Sequence, residues 1–157
     1  SQKITGLQDG TSSGDAVNKG QLDAAVLTKY CIGLRTSSAS PGSPGYNVTY
    51  QSETDPYSML NAGTGVVTIP DTGVWMVTAY TEFMYSMMLV RQHLSIVVNS
   101  STTSYVSNDA STASVIYGAN VSGLYSLTAG DTVNVNMSVS TGNVQCGEAR
   151  FTVHRVA

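Results

Sequence analysis

The chain has 157 residues, which is enough for one domain of ordinary size with a short appendage. Charged residues make up 11% of the chain and the formal net charge is −3, so no basic patch is available for a phosphate backbone and nucleic acid is excluded as a partner. The apolar runs are much shorter than the ~20 residues of a membrane-spanning helix, so no membrane insertion is expected.

Residues 1 to 29 differ in composition from the rest of the chain. An extended, glycine-punctuated run comes first, and Asp15 is then the predicted N-cap of a helix over Ala16–Lys29. Apolar side chains such as Leu22 and Val26 share one side of this helix, which is too short to be stable alone. The segment is therefore predicted to associate with other copies of itself.

From Tyr30 onward the chain changes to short β-prone runs, separated by turn residues about every eight to twelve positions. This spacing is typical of an all-β sandwich or barrel. The run Thr132–Val139 alternates most regularly, with valines and methionine on one side and polar residues on the other. Residues 37–45 are a predicted loop. The predicted strands are Tyr30–Thr36, Tyr46–Gln51, Gly65–Ile69, Val74–Phe83, Met88–Asn99, Ser104–Val106, Ser114–Tyr117, Gly123–Leu127, Thr132–Val139 and Ala149–Val156.

Three motifs in residues 30–157 resemble the globular head shared by complement-type and tumour-necrosis-factor-like proteins. They are Gly65-x-Val67-x-x-Pro70-x-x-Gly73-x-Trp75-x-Val77, then Leu127-Thr128-Ala129-Gly130-Asp131-Thr132-Val133, then Phe151 in the last strand. The aromatic positions of the first motif are partly changed, and Val153 stands where the family usually has glycine. The resemblance implies a jelly-roll sandwich of about ten strands, matching the predicted set, that assembles as a homotrimer. The fold-signature residues that it assigns are Gly65, Pro70, Gly73, Trp75, Val77, Gly130, Asp131 and Phe151.

A second resemblance lies in the N-terminal segment. The run Lys3-Ile4-Thr5-Gly6-Leu7-Gln8-Asp9-Gly10-Thr11, with Asp15-Ala16-Val17-Asn18-Lys19-Gly20-Gln21-Leu22 after it, resembles a trimerising segment of bacteriophage fibre proteins and the neck of some bacterial trimeric adhesins. This resemblance implies that residues 1–29 are a trimerising or anchoring stalk and residues 30–157 a jelly-roll head. The side chains expected to meet near a threefold axis are Ile4, Leu7, Val17, Leu22 and Val26.

Candidate catalytic groups are few and widely spaced. His93 and His154 lack the spacing of zinc ligands, and Cys31 and Cys146 are read either as buried free thiols or as a pair. Several acids lie in predicted turns, where a carboxylate binds its own backbone more often than calcium. No enzyme activity, cofactor or metal is therefore predicted. The acids are Glu53, Asp55, Asp71, Asp109 and Asp131.

The sequence carries more residues suited to contact surfaces than residues suited to catalysis. Nine Tyr stand against two Phe, which suits wet contact surfaces, and the apolar run Phe83–Leu89 is predicted to be a subunit interface. Four Asn-x-Ser/Thr sequons are expected by chance in a chain this rich in Ser and Thr, and they begin at Asn47, Asn99, Asn120 and Asn136. Most of the tyrosines in or beside predicted loops are expected to pack under loops or between subunits, which leaves one or two for a ligand such as glycan. These tyrosines are Tyr46, Tyr50, Tyr57, Tyr105 and Tyr117.

These observations favour a non-enzymatic structural protein on the surface of a phage virion, either a fibre tip or a short head fibre. Its head would contact a glycan or protein of the host surface, and its stalk would bind capsid or tail proteins. The alternatives are a capsid decoration protein anchored through the stalk and a secreted, trimeric ligand of the complement or tumour-necrosis-factor kind. Absence of a leader peptide and scarcity of cysteine are expected to count against the secreted ligand.

Overall fold

The computed structural model describes residues 6, 8–12, 16, 18, 20–21, 29–37, 46–85, 90–110, 116–139 and 144–157. The strands in these ranges are β1 (Tyr30–Arg35), β2 (Tyr46–Asn47), β3 (Ser52–Thr54), β4 (Leu60–Asn61), β5 (Val66–Thr68), β6 (Gly73–Tyr85), β7 (Val90–Val98), β8 (Ser101–Ala110), β9 (Ile116–Leu127), β10 (Thr132–Val139) and β11 (Val144–Arg155). Among the described residues, no helix has the length and apolarity needed to cross a lipid bilayer.

The strands form two antiparallel sheets. A five-stranded sheet has the order β3-β1-β11-β6-β9, and a six-stranded sheet has the order β4-β5-β10-β7-β8, with β2 also paired to β10. The predicted all-β jelly-roll sandwich is therefore confirmed.

One apolar core lies between the sheets, because each long strand alternates buried and outward side chains. In β10 the predicted alternation is confirmed for Val133, Val135 and Met137, which are buried. The largest fully buried side chains are Trp75, Phe83, Phe151, Ile69, Leu94, Ile96 and Met137.

Two strand predictions were wrong for physical reasons. The runs Ser114–Tyr117 and Gly123–Leu127 were predicted as separate strands, but β9 is continuous from Ile116. Its glycines are not turns: a Cβ at Gly123 would lie 2.5 Å from the hydroxyl of Tyr125, so the missing side chain makes room for a ring.

The predicted strand Tyr46–Gln51 also divides. The chain pairs with β10 at Tyr46–Asn47 and with β1 at Ser52–Thr54, so it crosses between the two sheets in the residues that lie between. Tyr50 is buried in that crossing, in agreement with the prediction that it lies in or beside a loop. Its ring stacks on Phe151 at a centroid distance of 5.7 Å.

The helix predicted over Ala16–Lys29 lies largely outside the described residues, but its start is corrected. Gln21 donates its backbone N–H to the side-chain oxygen of Asn18 (2.8 Å), and Asn18 donates its backbone N–H to the side-chain oxygen of Gln21 (3.2 Å). This reciprocal pair is a capping box, so Asn18 is the N-cap instead of Asp15. Gly20 and Gln21 are helical, whereas Ala16 is not.

Candidate functional site

Fold-signature residues that are distant in the sequence meet at one end of the sandwich. Ile69 donates its backbone N–H to the carbonyl of Asp131 (2.8 Å), and Gly130 donates to the carbonyl of Ile69 (2.8 Å). Trp75 Nε1 donates to the carbonyl of Asp71 (3.2 Å). These bonds tie the segment before β6 to the turn before β10. Of the predicted residues, Trp75, Gly130 and Asp131 take part in these bonds, and Pro70 and Gly73 lie in the segment that the bonds hold.

The apolar signature residues are core. Trp75, Val77 and Phe151 have no exposed surface. Val77 faces Val153 across β6 and β11, so the position where the resembled family usually has glycine here supplies a buried valine.

Gly65 is required by backbone geometry. Its φ is +71°, and a Cβ would lie 1.9 Å from the carbonyl oxygen of Val48. Both the left-handed conformation and the close approach exclude a side chain. The turn before β5 can therefore pack directly on the crossing segment.

The five predicted trimerisation residues, Ile4, Leu7, Val17, Leu22 and Val26, lie outside the described residues. Lys29, the last residue of the predicted stalk, is described and is attached to the head. Its carbonyl accepts the backbone N–H of Arg155 (2.8 Å), its ammonium group forms an ion pair with Asp71, and the same group lies 5.8 Å from the centre of the Tyr57 ring. Lys29 therefore lies at the end of the sandwich where the signature residues converge, here called the junction end.

The outward side of the five-stranded sheet, here called the apolar face, is covered by hydrophobic side chains near the junction end. Register partners Tyr30, His154, Met76 and Leu124 form one row across four strands. Val156 donates its backbone N–H to the carbonyl of Val74 (2.8 Å), which adds a second row beside the first. Leu124 is 61% exposed, and Tyr30 and Val156 are also exposed. Further apolar side chains on this face, half-buried, are Ile32, Leu34 and Tyr80.

The outward side of the six-stranded sheet, here called the amide face, has a different character. Asn47, Asn136, Ser95 and Tyr105 are register partners in a row across β2, β10, β7 and β8. Among the described residues of this face, Tyr105 is the one exposed large hydrophobic side chain, at 67%. Among the described residues, the apolar face therefore carries three exposed large hydrophobic side chains and the amide face carries one.

A groove of about 390 Å³ lies at the other end of the apolar face. Arg35 in this groove donates to the carbonyl and hydroxyl of Thr49 (2.8 Å each), so its charge is already used to hold the crossing segment. The Tyr80 hydroxyl donates to Glu82 (3.0 Å), and desolvation together with this acceptor raises the pKa of Tyr80. Charged groups of both signs, Arg35 and Glu82, therefore border the apolar surface at this end. The groove is lined by Leu34, Arg35, Thr36, Tyr80, Glu148, Ala149 and Arg150.

The thiols are unsuited to nucleophilic chemistry. Cys31 and Cys146 are buried and unpaired, as one of the two sequence interpretations held. Burial, followed by the negative charge of Asp55, raises the pKa of Cys31 to about 12, and burial raises the pKa of Cys146 to about 11. Because the reactive form is the thiolate, neither group is activated at neutral pH.

The histidines do not meet. His93 lies on the amide face in β7 and His154 on the apolar face in β11, so the core separates them. In the described part of the chain, no three His, Cys, Asp or Glu side chains come together in a group that could hold a metal ion.

Asp131 acts within its own turn, as the sequence interpretation of the acids expected. Its carboxylate accepts the backbone N–H of Thr128 (2.7 Å) and the amide of Asn99 (2.8 Å). These two bonds lower the pKa of Asp131, the first more than the second. The side chain therefore joins the β7–β8 turn to the turn before β10.

Part of the predicted contact surface is corrected. Phe83 was assigned to a subunit interface but is fully buried in the core, because it follows Trp75 by an even number of residues in β6. The side chains of the other residues in the Phe83–Leu89 run are not among those that the structure describes. The apolar face itself was missed. The available signal was that β6 carries apolar residues on both sides near its start, at Val74, Trp75, Met76 and Val77.

The sequence matches no protein-family model and no curated protein. Solved structures match it well. The globular domain of zebrafish complement 1qA has a TM-score of 0.63 at 16% identity, over 82% of this chain and 98% of that one.

Two further structures belong to tumour-necrosis-factor-type proteins. The Eiger TNF of S. frugiperda has a TM-score of 0.60 at 13% identity, over 83% of this chain and 92% of that one. Murine APRIL at pH 8.5 has a TM-score of 0.55 at 14% identity, over 82% of this chain and all of that one. At these identities the likeness establishes the fold: the head has the sandwich of complement-1q-type and tumour-necrosis-factor-type globular domains.

Proposed function

We propose that the chain is a non-enzymatic, homotrimeric contact module, in which the apolar face packs against other copies of the chain and the amide face stays outside. The observation that carries this proposal is the contrast between the two faces. Three of the four exposed large hydrophobic side chains in the described residues, Tyr30, Leu124 and Val156, lie on the apolar face near the junction end. An apolar patch on one side of a sandwich is typical of an interaction surface.

The number of copies rests on the likenesses and on the position of the stalk. The head resembles domains that assemble as trimers, and the stalk resembles a trimerising segment. Lys29 joins the stalk to the head at the end where the apolar face is most hydrophobic. An association begun by the stalk would therefore continue directly into the apolar face.

A matched pair of variants tests this assembly. Leu124 and Tyr105 are similarly exposed, at 61% and 67%, and lie in the outer strands of the two sheets, β9 and β8. Light scattering of the full chain should give about three times its mass of 16.4 kDa. Leu124→Lys should weaken the trimer, so that on dilution the mass falls toward that of one chain at a higher protein concentration than for the unchanged chain, because burying a lysine charge in a subunit interface is costly. Tyr105→Lys should leave the mass unchanged. Equal behaviour of the two variants would contradict the assignment of faces.

We place the trimer on the surface of a phage virion, as a fibre tip or a short head fibre. The support for this location is the resemblance of residues 3–22 to phage trimerising segments. Particles lacking the protein should take up the full chain and should take up a chain without residues 1–28 poorly. This truncation leaves Lys29 and its contacts in place, so equal uptake would mean that the head, and not the stalk, binds the particle.

A secreted trimeric ligand is the second candidate, favoured by the likeness to Eiger TNF and murine APRIL. The same uptake experiment separates the two candidates. A ligand for a cell-surface protein has no reason to bind phage particles, so no uptake of the full chain would favour the ligand.

A further inference from the structure

The amide face has a repeated polar pattern across four strands. The row Asn47, Asn136, Ser95 and Tyr105 covers three gaps between strands, or roughly 14 Å, since neighbouring strands lie about 4.8 Å apart. Among the side chains described on this side of the sheet, none is charged. The described part of this surface is therefore neutral and rich in hydrogen-bonding groups.

The amides at one end of the row are held in place by one another. Asn134 and Asn136 donate their side-chain N–H groups to the same oxygen of Asn47, at 2.9 and 3.3 Å. The Asn47 Nδ2 group and the Asn136 side-chain oxygen bond to no described residue and remain for a ligand, whereas Asn134 is buried. Because the three side chains are already positioned, a ligand would lose little free energy in ordering them.

An aromatic platform lies at the other end of the row. The Tyr105 ring is 67% exposed, and the His93 ring lies 6.2 Å away at an angle of 55°. Between this ring and the amides lies Ser95, a small and buried residue whose hydroxyl donates to the carbonyl of Asn136 (3.3 Å). The row therefore has a raised ring at one end, a low centre and amides at the other end.

We propose that the amide face binds a neutral oligosaccharide, with one sugar ring stacked on Tyr105 and the hydroxyls of a neighbouring sugar bonded to Asn47 and Asn136. A sugar has apolar C–H groups on its ring face and hydroxyls at its edge, which matches an exposed ring beside neutral amides. An anionic saccharide would find no described cation on this face. A protein partner would be expected to use a larger apolar centre than the one ring present here.

This proposal rests on the proposed assembly in one respect: the trimer must leave the amide face free for the ligand. The test is a titration of the full chain with maltotriose, cellotriose and tri-N-acetylchitotriose, with trigalacturonate as the anionic comparison. The readout is the set of NMR shifts of the Asn side-chain amides. At least one neutral trisaccharide should shift the amides of Asn47 and Asn136 with a millimolar Kd, and trigalacturonate should not.

Variants separate binding from stability and from assembly. Tyr105→Ala should raise Kd about tenfold, which corresponds to ~1.4 kcal/mol, whereas Tyr105→Phe should change it by less than about threefold because the ring remains. Asn47→Ala should weaken binding, and Asn120→Ala, an exposed amide on the opposite side of the sandwich, should not. No shift with any neutral trisaccharide up to about 10 mM, or equal binding by Tyr105→Ala, would overturn the proposal. Light scattering of the same samples reports the trimer separately, so failure here leaves the assembly to be judged by its own test.

Discussion

Replacement of Trp75 by Ala should be the most damaging single change in the junction end. The side chain has no exposed surface, and its Nε1 donates to the Asp71 carbonyl at 3.2 Å. Loss of a fully buried large ring costs about 3–5 kcal/mol, and the unpaired carbonyl adds roughly 1 kcal/mol. For a chain of this length each kcal/mol corresponds to ~2–4 °C in Tm, so a decrease of at least about 8 °C is expected.

Thermal and urea unfolding of the full chain would measure this effect. All variants should be compared at one protein concentration, because an oligomer's stability depends on concentration. Trp75→Phe should cost less, since most of the ring volume is kept and mainly the hydrogen bond is lost. Tyr105→Ala is the control, because it removes a ring that is 67% exposed. A Trp75→Ala chain that unfolds at the same temperature as the control would refute the assigned register of β6.

Two further changes probe the turns at the ends of the strands. Gly65→Ala should destabilise the chain by about 2 kcal/mol or more, because it combines a left-handed φ with a clash against the Val48 carbonyl. Gly130→Ala, where φ is +93° but no atom lies within 4 Å of the added Cβ, should cost about 1–2 kcal/mol in urea unfolding, and equal losses would show that the clash is relieved. For Asp131 the folded-state pKa is lowered, so its stabilising effect is present above the ordinary carboxyl pKa and is lost as pH falls through the lowered value. The difference in unfolding free energy between the wild type and Asp131→Asn should therefore shrink between about pH 5 and pH 2, and a constant difference would contradict this account.

The sandwich was predictable from the sequence because its strands obey local rules. Residues Val133, Val135 and Met137 alternate with polar neighbours, and the structure buries all three. The strand boundaries were less predictable where glycine serves packing instead of turning the chain. Gly123 was read as the start of a new strand, although it makes room for the Tyr125 ring within β9.

The positions of the apolar face and the amide face could not be predicted from single strands, because both depend on the register between strands. Leu124, Met76 and Tyr30 are far apart in the chain and become neighbours only when β1, β11, β6 and β9 are paired in order. A single strand indicates which residues share its side, but not which side of which sheet they join. Tyr105 was predicted to lie in the short strand Ser104–Val106, beside a loop, but only the register of β8, β7 and β10 brings it into line with Asn136.

The position of the apolar face also bears on how strong the head-to-head contact must be. The face is most hydrophobic beside Tyr30, which directly follows the stalk residue Lys29. If the stalk gathers three chains, their heads meet at an effective concentration that a short linker brings into the millimolar range. A contact surface that includes polar side chains such as His154 is then sufficient to hold the heads together, although the same contact would be weak between heads that no stalk joins. If the stalk collects three chains in this way, the apolar face is suited to holding their heads together, and the amide face of each copy is left free for the proposed ligand.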